Sequence, residues 1–247
     1  MEKLSIIIPC YNEERFIEPV LNSVLDSISR LPIEAEIIVV DDASTDGTTG
    51  ALAAFSGLEK IRIYRQEKNQ GKGAAIKRGL AEASGSIVLI QDADLEYDPR
   101  EYAKLLQPML DGHADVVYGS RFLGNGPHRV LFYFHTVGNK FLTFLSNVFT
   151  QLNLTDIETG YKMFRADVLR QISIREKRFG FEAEVTAKIS RIKGIRIYET
   201  GIAYYGRTYG EGKKINWKDG FRAIYCIVKY GIGGRGQKWQ GPSGPTG

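Results

Sequence analysis

The sequence predicts an α/β fold with a mainly parallel central sheet. Two observations carry that expectation. Short apolar, β-branched runs alternate with helical periods of 10 to 15 residues through the first half of the chain. Several of those runs end in polar clusters, as strands do where a parallel sheet presents a ligand site.

The elements follow in order. Leu4 to Ile8 is a buried-strand run ended by Pro9. From Glu13 to Leu31 the spacing is helical, with Phe16, Val20, Val24 and Ile28 on one face. Glu36 to Val40 is a second strand rich in β-branched residues. Ser44 is the expected N-cap of a helix from Thr45 to Phe55, with Asp46 near its positive end. Ile61 to Tyr64 reads as a strand, Gly73 to Ala83 as a helix and Ser86 to Gln91 as a fourth strand. Pro99 suits a first helical position ahead of Glu101 to Leu110, and Asp115 to Tyr118 is a fifth strand.

The second half is less regular. Arg129 to Leu152 carries Phe134, Val137, Phe141, Leu145, Val148 and Leu152 at helical spacing. The stretch 154–212 mixes helix and strand signals, and 215–232 is apolar with Trp217, Lys218, Asp219, Arg222, Tyr225 and Lys229 interspersed. Residues 1–232 are therefore expected to form one domain, and the Gly- and Pro-rich 233–247 a disordered tail.

Composition narrows the function classes. At 247 residues the chain is long enough for one large α/β domain, and 43% hydrophobic with 25% charged residues is ordinary for a soluble globular protein. A net charge of +4 admits nucleic acid, acidic lipid or phosphorylated substrates without choosing among them. Cys10 and Cys226 give no disulfide framework, and His113, His128 and His135 lack zinc-ligand spacing. The Met1-Glu2-Lys3-Leu4 start leads into a short strand rather than a signal peptide, and no run reaches the ~20 apolar residues of a spanning helix.

Chemistry gathers at four strand ends: Pro9-Cys10-Tyr11-Asn12-Glu13, Asp41-Asp42-Ala43-Ser44, Asp92-Ala93-Asp94 and Gly119-Ser120-Arg121. Turn and cap preferences explain one or two such clusters, but four poorly. A Walker A pattern is missing, and Gly71-Lys72-Gly73 lacks the third glycine of a dinucleotide loop, with Ile76 in its place. Asp92-Ala93-Asp94 leaves the buried run Ile87-Val88-Leu89-Ile90; on an extended chain its two carboxylates point to the same side. Such a pair is costly unless a cation neutralises it, and Mg²⁺ or Mn²⁺ takes carboxylate oxygens and shares substrate phosphates. Glu96 completes a candidate metal set of Asp92, Asp94 and Glu96. An isolated D-x-D would read as a solvated acidic turn; after a buried strand it reads as a metal site.

Ile6 to Glu13, Val39 to Thr48, Asn69 to Gly73 and Asp92 to Asp94 together resemble the family 2 glycosyltransferases of GT-A fold, in that family's order and spacing. Gly119-Ser120-Arg121-Phe122, with the late Arg207 and Lys213, is similar to the polyprenyl-phosphate branch, the dolichol-phosphate mannosyltransferase-like enzymes. The resemblance spans Lys3 to Tyr230 and implies roles. Pro9, Tyr11 and Glu13 would line the nucleotide site, and Val40 and Asp42 would contact base or ribose. Asp92, beside Ala93, would sit by ribose or metal, while Asp94 and Glu96 would bind the ion. Where archaeal members often carry Gln, this chain has Glu96, which adds negative charge. Arg121, Arg207 and Lys213 would hold phosphates of donor or acceptor, the arginines by paired contacts and the lysine as a point charge.

The implied reaction is inverting transfer of a hexose from GDP-mannose or UDP-glucose to a polyprenyl phosphate. A phosphate monoester, with its second pKa near ~6, attacks without a strong base. A saccharide hydroxyl would need one, and Asp156 is the candidate. Asp156 reads equally as a helix cap or as a group orienting substrate. With the resemblance, 129–152 and 215–232 become candidate membrane-interface helices, which implies peripheral attachment at the cytoplasmic face; by pattern alone the first is as good a core helix. The competing readings are a family 2 transferase acting on a saccharide and a non-catalytic nucleotide-sugar-binding subunit. A nucleic-acid partner lacks a recognisable module, and the sequence leaves the oligomeric state open.

Overall fold

Lys3–Cys10 forms β1, whose side chains alternate between two buried layers. Ile6 and Ile8 enter one core and Ile7 the other. Glu34–Asp41 (β2) repeats the pattern in parallel register, with Ile37 and Val39 on the first side and Ile38 and Val40 on the second. Strands buried on both faces need covering layers of helix, and the alternation places one on each side. The computed structural model describes residues 2–124, 129–130, 133–178, 180–207 and 217–232, the side chains of Trp217 and Lys218 excepted.

The seven-stranded sheet also contains β3 (Ile61–Arg65), β4 (Ile87–Ile90), β5 (Val116–Ser120), β6 (Lys162–Arg165) and β7 (Ile197–Gly201), in the order β3-β2-β1-β4-β6-β5-β7. Pairings are parallel except those of β6, which runs antiparallel between β4 and β5. The helices are α1 (Ile17–Ile28), α2 (Thr48–Ala53), α3 (Lys72–Glu82), α4 (Tyr102–Leu110), α5 (Tyr133–Thr150), α6 (Ala166–Gln171), α7 (Phe181–Ile189) and α8 (Trp217–Ile232). Val20, Leu21 and Val24 of α1 and Leu105 and Met109 of α4 build one core. Ala75 and Ile76 of α3, Val185 of α7 and Ile227 of α8 build the other. β1 lies between β2 and β4, so the chain winds outward in both directions from it. The crevice beyond the carboxyl ends of β1 and β4 is where such a sheet places a ligand.

Each strand and helix expected in the first half is present; the first, second and fourth helices are shorter than expected, and α3 is displaced by one residue. Pro99 opens a 3₁₀ turn before α4, capped by Asp98, which accepts the Arg100 N–H at 3.0 Å. Ser44 is not a helix cap: α2 begins after Gly47, and the Ser44 hydroxyl instead accepts the Asn12 N–H at 3.0 Å. A cross-loop partner took the group that local sequence assigned to the helix. Helix α5 falls within 129–152 and α8 within 215–232; the tail 233–247 lies outside the described residues.

Candidate active site

Two strand-end loops interlock first. Asn12 and Ala43 both take left-handed backbone, φ 53° and 59°, which turns the chain sharply as it leaves β1 and β2. Asn12 Oδ1 accepts the Thr45 N–H at 2.8 Å, and Thr48 Oγ1 accepts the Glu13 N–H at 2.8 Å. Asp42 is buried and accepts from Gln66 Nε2 (2.7 Å) and from the N–H groups of Gln70 (2.8 Å) and Gly71 (2.6 Å). It thereby fixes the start of α3. The Val40 side chain is fully buried in the core, so only its backbone remains for a nucleotide. Pro9 is buried at the end of β1, while Tyr11 is exposed at the mouth.

The run Asp92-Ala93-Asp94 does emerge from β4, and the chain bends at Ala93 instead of continuing extended. Its two carboxylates take different cations. Asp92 turns to Lys72 at the start of α3, Oδ1 to Nζ 2.8 Å, and Lys72 also reaches Glu182 of α7 at 3.0 Å. Gly160 backs Asp92 closely: a Cβ there would lie 2.2 Å from Asp92 Oδ2. Asp94 pairs instead with Arg207, at 2.7 Å. Ala93 itself is buried.

Arg207 gathers the remaining acids. Its Nε lies 3.4 Å from Glu96 Oε1 and its Nη1 lies 3.7 Å from Glu13 Oε2, with the guanidinium 4.9 Å over the Phe16 ring. The Arg207 N–H donates to Glu96 Oε1 at 2.8 Å, and Tyr204 donates to Glu96 Oε2 at 2.7 Å. Burial, then the charges of Asp92 and Glu96, push the Asp94 carboxyl up to about 7, although Arg207 opposes them. Among the described residues, no three His, Cys, Asp or Glu side chains already converge as a metal cage. Lys213 lies outside the described residues.

Arg121 and Asp156 form a separate pair. Asp156 is fully buried and accepts from Arg121 Nε (2.6 Å), Nη2 (2.7 Å) and the main-chain N–H (3.1 Å). The Arg121 guanidinium also lies 5.2 Å over the Tyr204 ring, so both arginines border the Glu96–Tyr204 contact. Both Asp156 oxygens accept from Arg121 in this geometry.

Sequence reasoning missed a set of charges behind the strand ends. Lys72 stands in the quoted Gly71-Lys72-Gly73 run without an assigned role. Glu182 and Glu184 are buried acids on α7, and charge inside an apolar helix was the available signal. Glu158 Oε1 is buried with no hydrogen-bond partner, and burial and Glu182 push its carboxyl up to about 7. Lys162 is buried over the Tyr118 ring and donates to the Ile157 carbonyl at 2.8 Å; burial pulls its ammonium down to about 8 against the neighbouring carboxylates. An open hollow of about 520 Å³ lies elsewhere, between α4 and β7, and none of the strand-end residues lines it.

An α/β sheet whose carboxyl edge joins acidic strand ends to two arginines is a setting for phosphate-bearing ligands. The chain belongs to the Glycosyl transferase family 2, whose model matches residues 5–173. It is 30% identical over 247 residues to an undecaprenyl-phosphate mannosyltransferase of Micrococcus luteus, covering 95% of each chain. It is 27% identical over 231 residues to a dolichol-phosphate mannosyltransferase of Pyrococcus furiosus, covering 92% of this chain but 64% of that one. A dodecaprenyl-phosphate galacturonate synthase of Rhizobium johnstonii matches at 25% identity over 213 residues, covering 85% of this chain and 61% of the relative. Among solved structures, glucosyl-3-phosphoglycerate synthase from Mycobacterium tuberculosis, crystallised with Mn²⁺, UDP and phosphoglyceric acid, superposes with a TM-score of 0.70 at 21% identity, covering 93% of this chain and 78% of that one. That likeness concerns the fold, which is GT-A, as the motifs implied.

Proposed function

We propose that this glycosyltransferase moves a hexose from a nucleotide-diphospho-sugar to a polyprenyl phosphate, working peripherally at the cytoplasmic face of a membrane. The observation that carries the reading is the commitment of Asp156. A saccharide hydroxyl needs a base to remove its proton, and the expected base has both oxygens bound to Arg121. A lipid phosphate brings its own anionic oxygen. The names of the matched relatives agree: each acts on a polyprenyl phosphate.

In this reaction the acceptor oxygen forms a bond to the anomeric carbon as the bond to the donor diphosphate breaks. Arg121, held by Asp156 through Nε and Nη2, would use its remaining Nη1 donors for phosphate oxygens. Arg207 lies beside the carboxylates where the diphosphate would be held, and such fixed cations stabilise charge that develops on a leaving group. Lys72 holds Asp92 in place from one side and Gly160 leaves it room from the other.

The residues fit a hard divalent ion in part. Asp94 Oδ2 and Glu96 Oε1 already share one cation, the guanidinium of Arg207, and both are the oxygen donors that Mg²⁺ or Mn²⁺ prefers. Asp94 and Glu96 are therefore the proposed ligands, while Asp92 pairs with Lys72 through Oδ1. When bound, the ion would neutralise charge on the departing diphosphate.

The membrane reading rests on α5 and α8, which pack together, with Gly231 leaving no room for a Cβ beside Phe149. Tyr133, Phe134, Phe141 and Phe144 of α5 and Phe221 and Tyr225 of α8 are exposed, Phe134 at 82%. Lys140, Arg222 and Lys229 are exposed on the same two helices, and aromatic and basic residues together suit a headgroup layer. No described helix is long and apolar enough to cross a membrane.

Nucleoside diphosphate release, measured with polyprenyl phosphate in anionic vesicles and with soluble glycans, tests the acceptor. Release is expected with the lipid alone; release with glycans alone would reject the reading. Pelleting with the same vesicles tests the surface, and a protein that stays in solution at low salt would remove the membrane part.

A further inference from the structure

The two arginines of the site are built differently. Arg121 meets one carboxylate in a matched, two-point contact at 2.6 and 2.7 Å. Arg207 is shared among the carboxylates of Glu13, Asp94 and Glu96, at 3.7, 2.7 and 3.4 Å. Its Nη1 is buried and has no hydrogen-bond partner. A guanidinium kept only for structure would have its donors satisfied, since an unpaired buried donor costs stability.

We infer that Arg207 is a displaceable counter-ion: it competes with a divalent ion for Asp94 Oδ2 and Glu96 Oε1, and once displaced it turns its free donors to the donor's diphosphate. The inference rests on the metal reading given above. Glu96 need not move for the exchange, because Tyr204 fixes its other oxygen at 2.7 Å. The Arg207 main-chain N–H, 2.8 Å from Glu96 Oε1, keeps the backbone in place while the side chain swings. The Phe16 ring, 4.9 Å from the guanidinium, is a neutral surface that gives it up without leaving a charge unpaired. Metal and nucleotide binding would thus be coupled through one side chain: the ion frees the arginine, and the arginine rewards the ion by finding a phosphate partner.

Mn²⁺ binding, followed by the electron paramagnetic resonance signal of the free ion, tests this without turnover. The proteins are the full chain and its Arg207→Met and Arg207→Lys variants, with circular dichroism as the check on folding. Without nucleotide, Arg207→Met should bind Mn²⁺ at least about fivefold tighter than the unaltered protein, the low end of usual site-to-site couplings. Arg207→Lys, a point charge that cannot span three carboxylates, should fall between them. Adding uridine or guanosine diphosphate should tighten Mn²⁺ in the unaltered protein more than in Arg207→Met. Equal or weaker Mn²⁺ binding by a folded Arg207→Met overturns the inference. Should that variant fail to fold, equal or weaker binding by Arg207→Lys does so. Absence of Mn²⁺ binding in all three proteins, with diphosphate present, overturns the metal reading itself and the inference with it.

Discussion

Asp156→Asn separates a positioning carboxylate from a catalytic base. The native carboxylate is fully buried and accepts three hydrogen bonds from Arg121, at 2.6, 2.7 and 3.1 Å. Asparagine keeps one oxygen, loses the negative charge and turns an NH₂ group toward guanidinium hydrogens. The arginine is then left buried without its counter-charge. Breaking a buried pair on one side costs about 3–5 kcal/mol. For a domain of this size the melting temperature should fall by about 6–20 °C. Removing both charges, as in Arg121→Met with Asp156→Leu, should return most of that stability while abolishing transfer, because the desolvation cost of both ions disappears with them. Urea unfolding followed by circular dichroism gives the stabilities, and the pH–rate profile of the single variant gives the chemistry. The positioning role predicts a large stability loss and an unchanged profile shape in whatever activity remains. A variant within about 1 kcal/mol of the parent that has lost the acid limb of its profile would refute the reasoning and restore Asp156 as a base.

Other outcomes follow from the same geometry. Gly160→Ala places a Cβ 2.2 Å from Asp92 Oδ2, so turnover should collapse, with a smaller loss of thermal stability, about 1–3 kcal/mol, measured in the same preparation. Lys72→Met leaves Asp92 and Glu182 facing each other without their shared cation, and should lower kcat/KM for the nucleotide-sugar by at least about tenfold, read in a steady-state assay. Burial alone would raise the Glu36 carboxyl, but hydrogen bonds from Ser5, the Ser84 N–H and Lys3 outweigh it and hold the group at about 2, against 4.5 ordinarily. Its folded-state value is depressed, so its stabilisation is present above pH 4.5 and is lost as pH falls from there toward about 2. The urea midpoint of Glu36→Gln should trail the parent's at pH 7 and converge on it in acid. Phe134→Asp with Phe144→Asp should abolish pelleting with anionic vesicles and leave the circular dichroism spectrum unchanged, since both side chains are exposed.

The parts of the fold carried by local pattern were legible. β1 and β2 are runs so apolar that only a two-sided core explains them, and the acidic residues after β4 were correctly placed at a sheet edge. Local pattern failed where a distant partner decides. Arg207 meets Asp94 across 113 positions and Lys72 meets Glu182 across 110, so no spacing rule connects them. The alternation that suggested a shared face for Asp92 and Asp94 stops at Ile90, where β4 ends. The same alternation, had it been continued along β2, would have put the Val40 side chain in the core with Ile38, leaving only its backbone for a nucleotide. Antiparallel β6 was hidden because Lys162-Met163-Phe164-Arg165 begins and ends in cations. Both are buried only because backbone carbonyls receive them: Lys162 reaches the nearby Ile157 carbonyl, and Arg165 donates to the distant Met109 carbonyl at 3.0 Å.

The most direct test of the central claim is a panel of labelled nucleotide-sugars, GDP-mannose and UDP-glucose among them, incubated with a short polyprenyl phosphate, with and without Mg²⁺ or Mn²⁺. The measured quantity is label in the lipid phase against nucleoside diphosphate in the aqueous phase. The account predicts equimolar lipid-linked sugar and free diphosphate for at least one donor, lost on chelation and in Asp94→Asn. Label that never enters the lipid phase with any donor, or transfer that is indifferent to both chelation and Asp94→Asn, would contradict it.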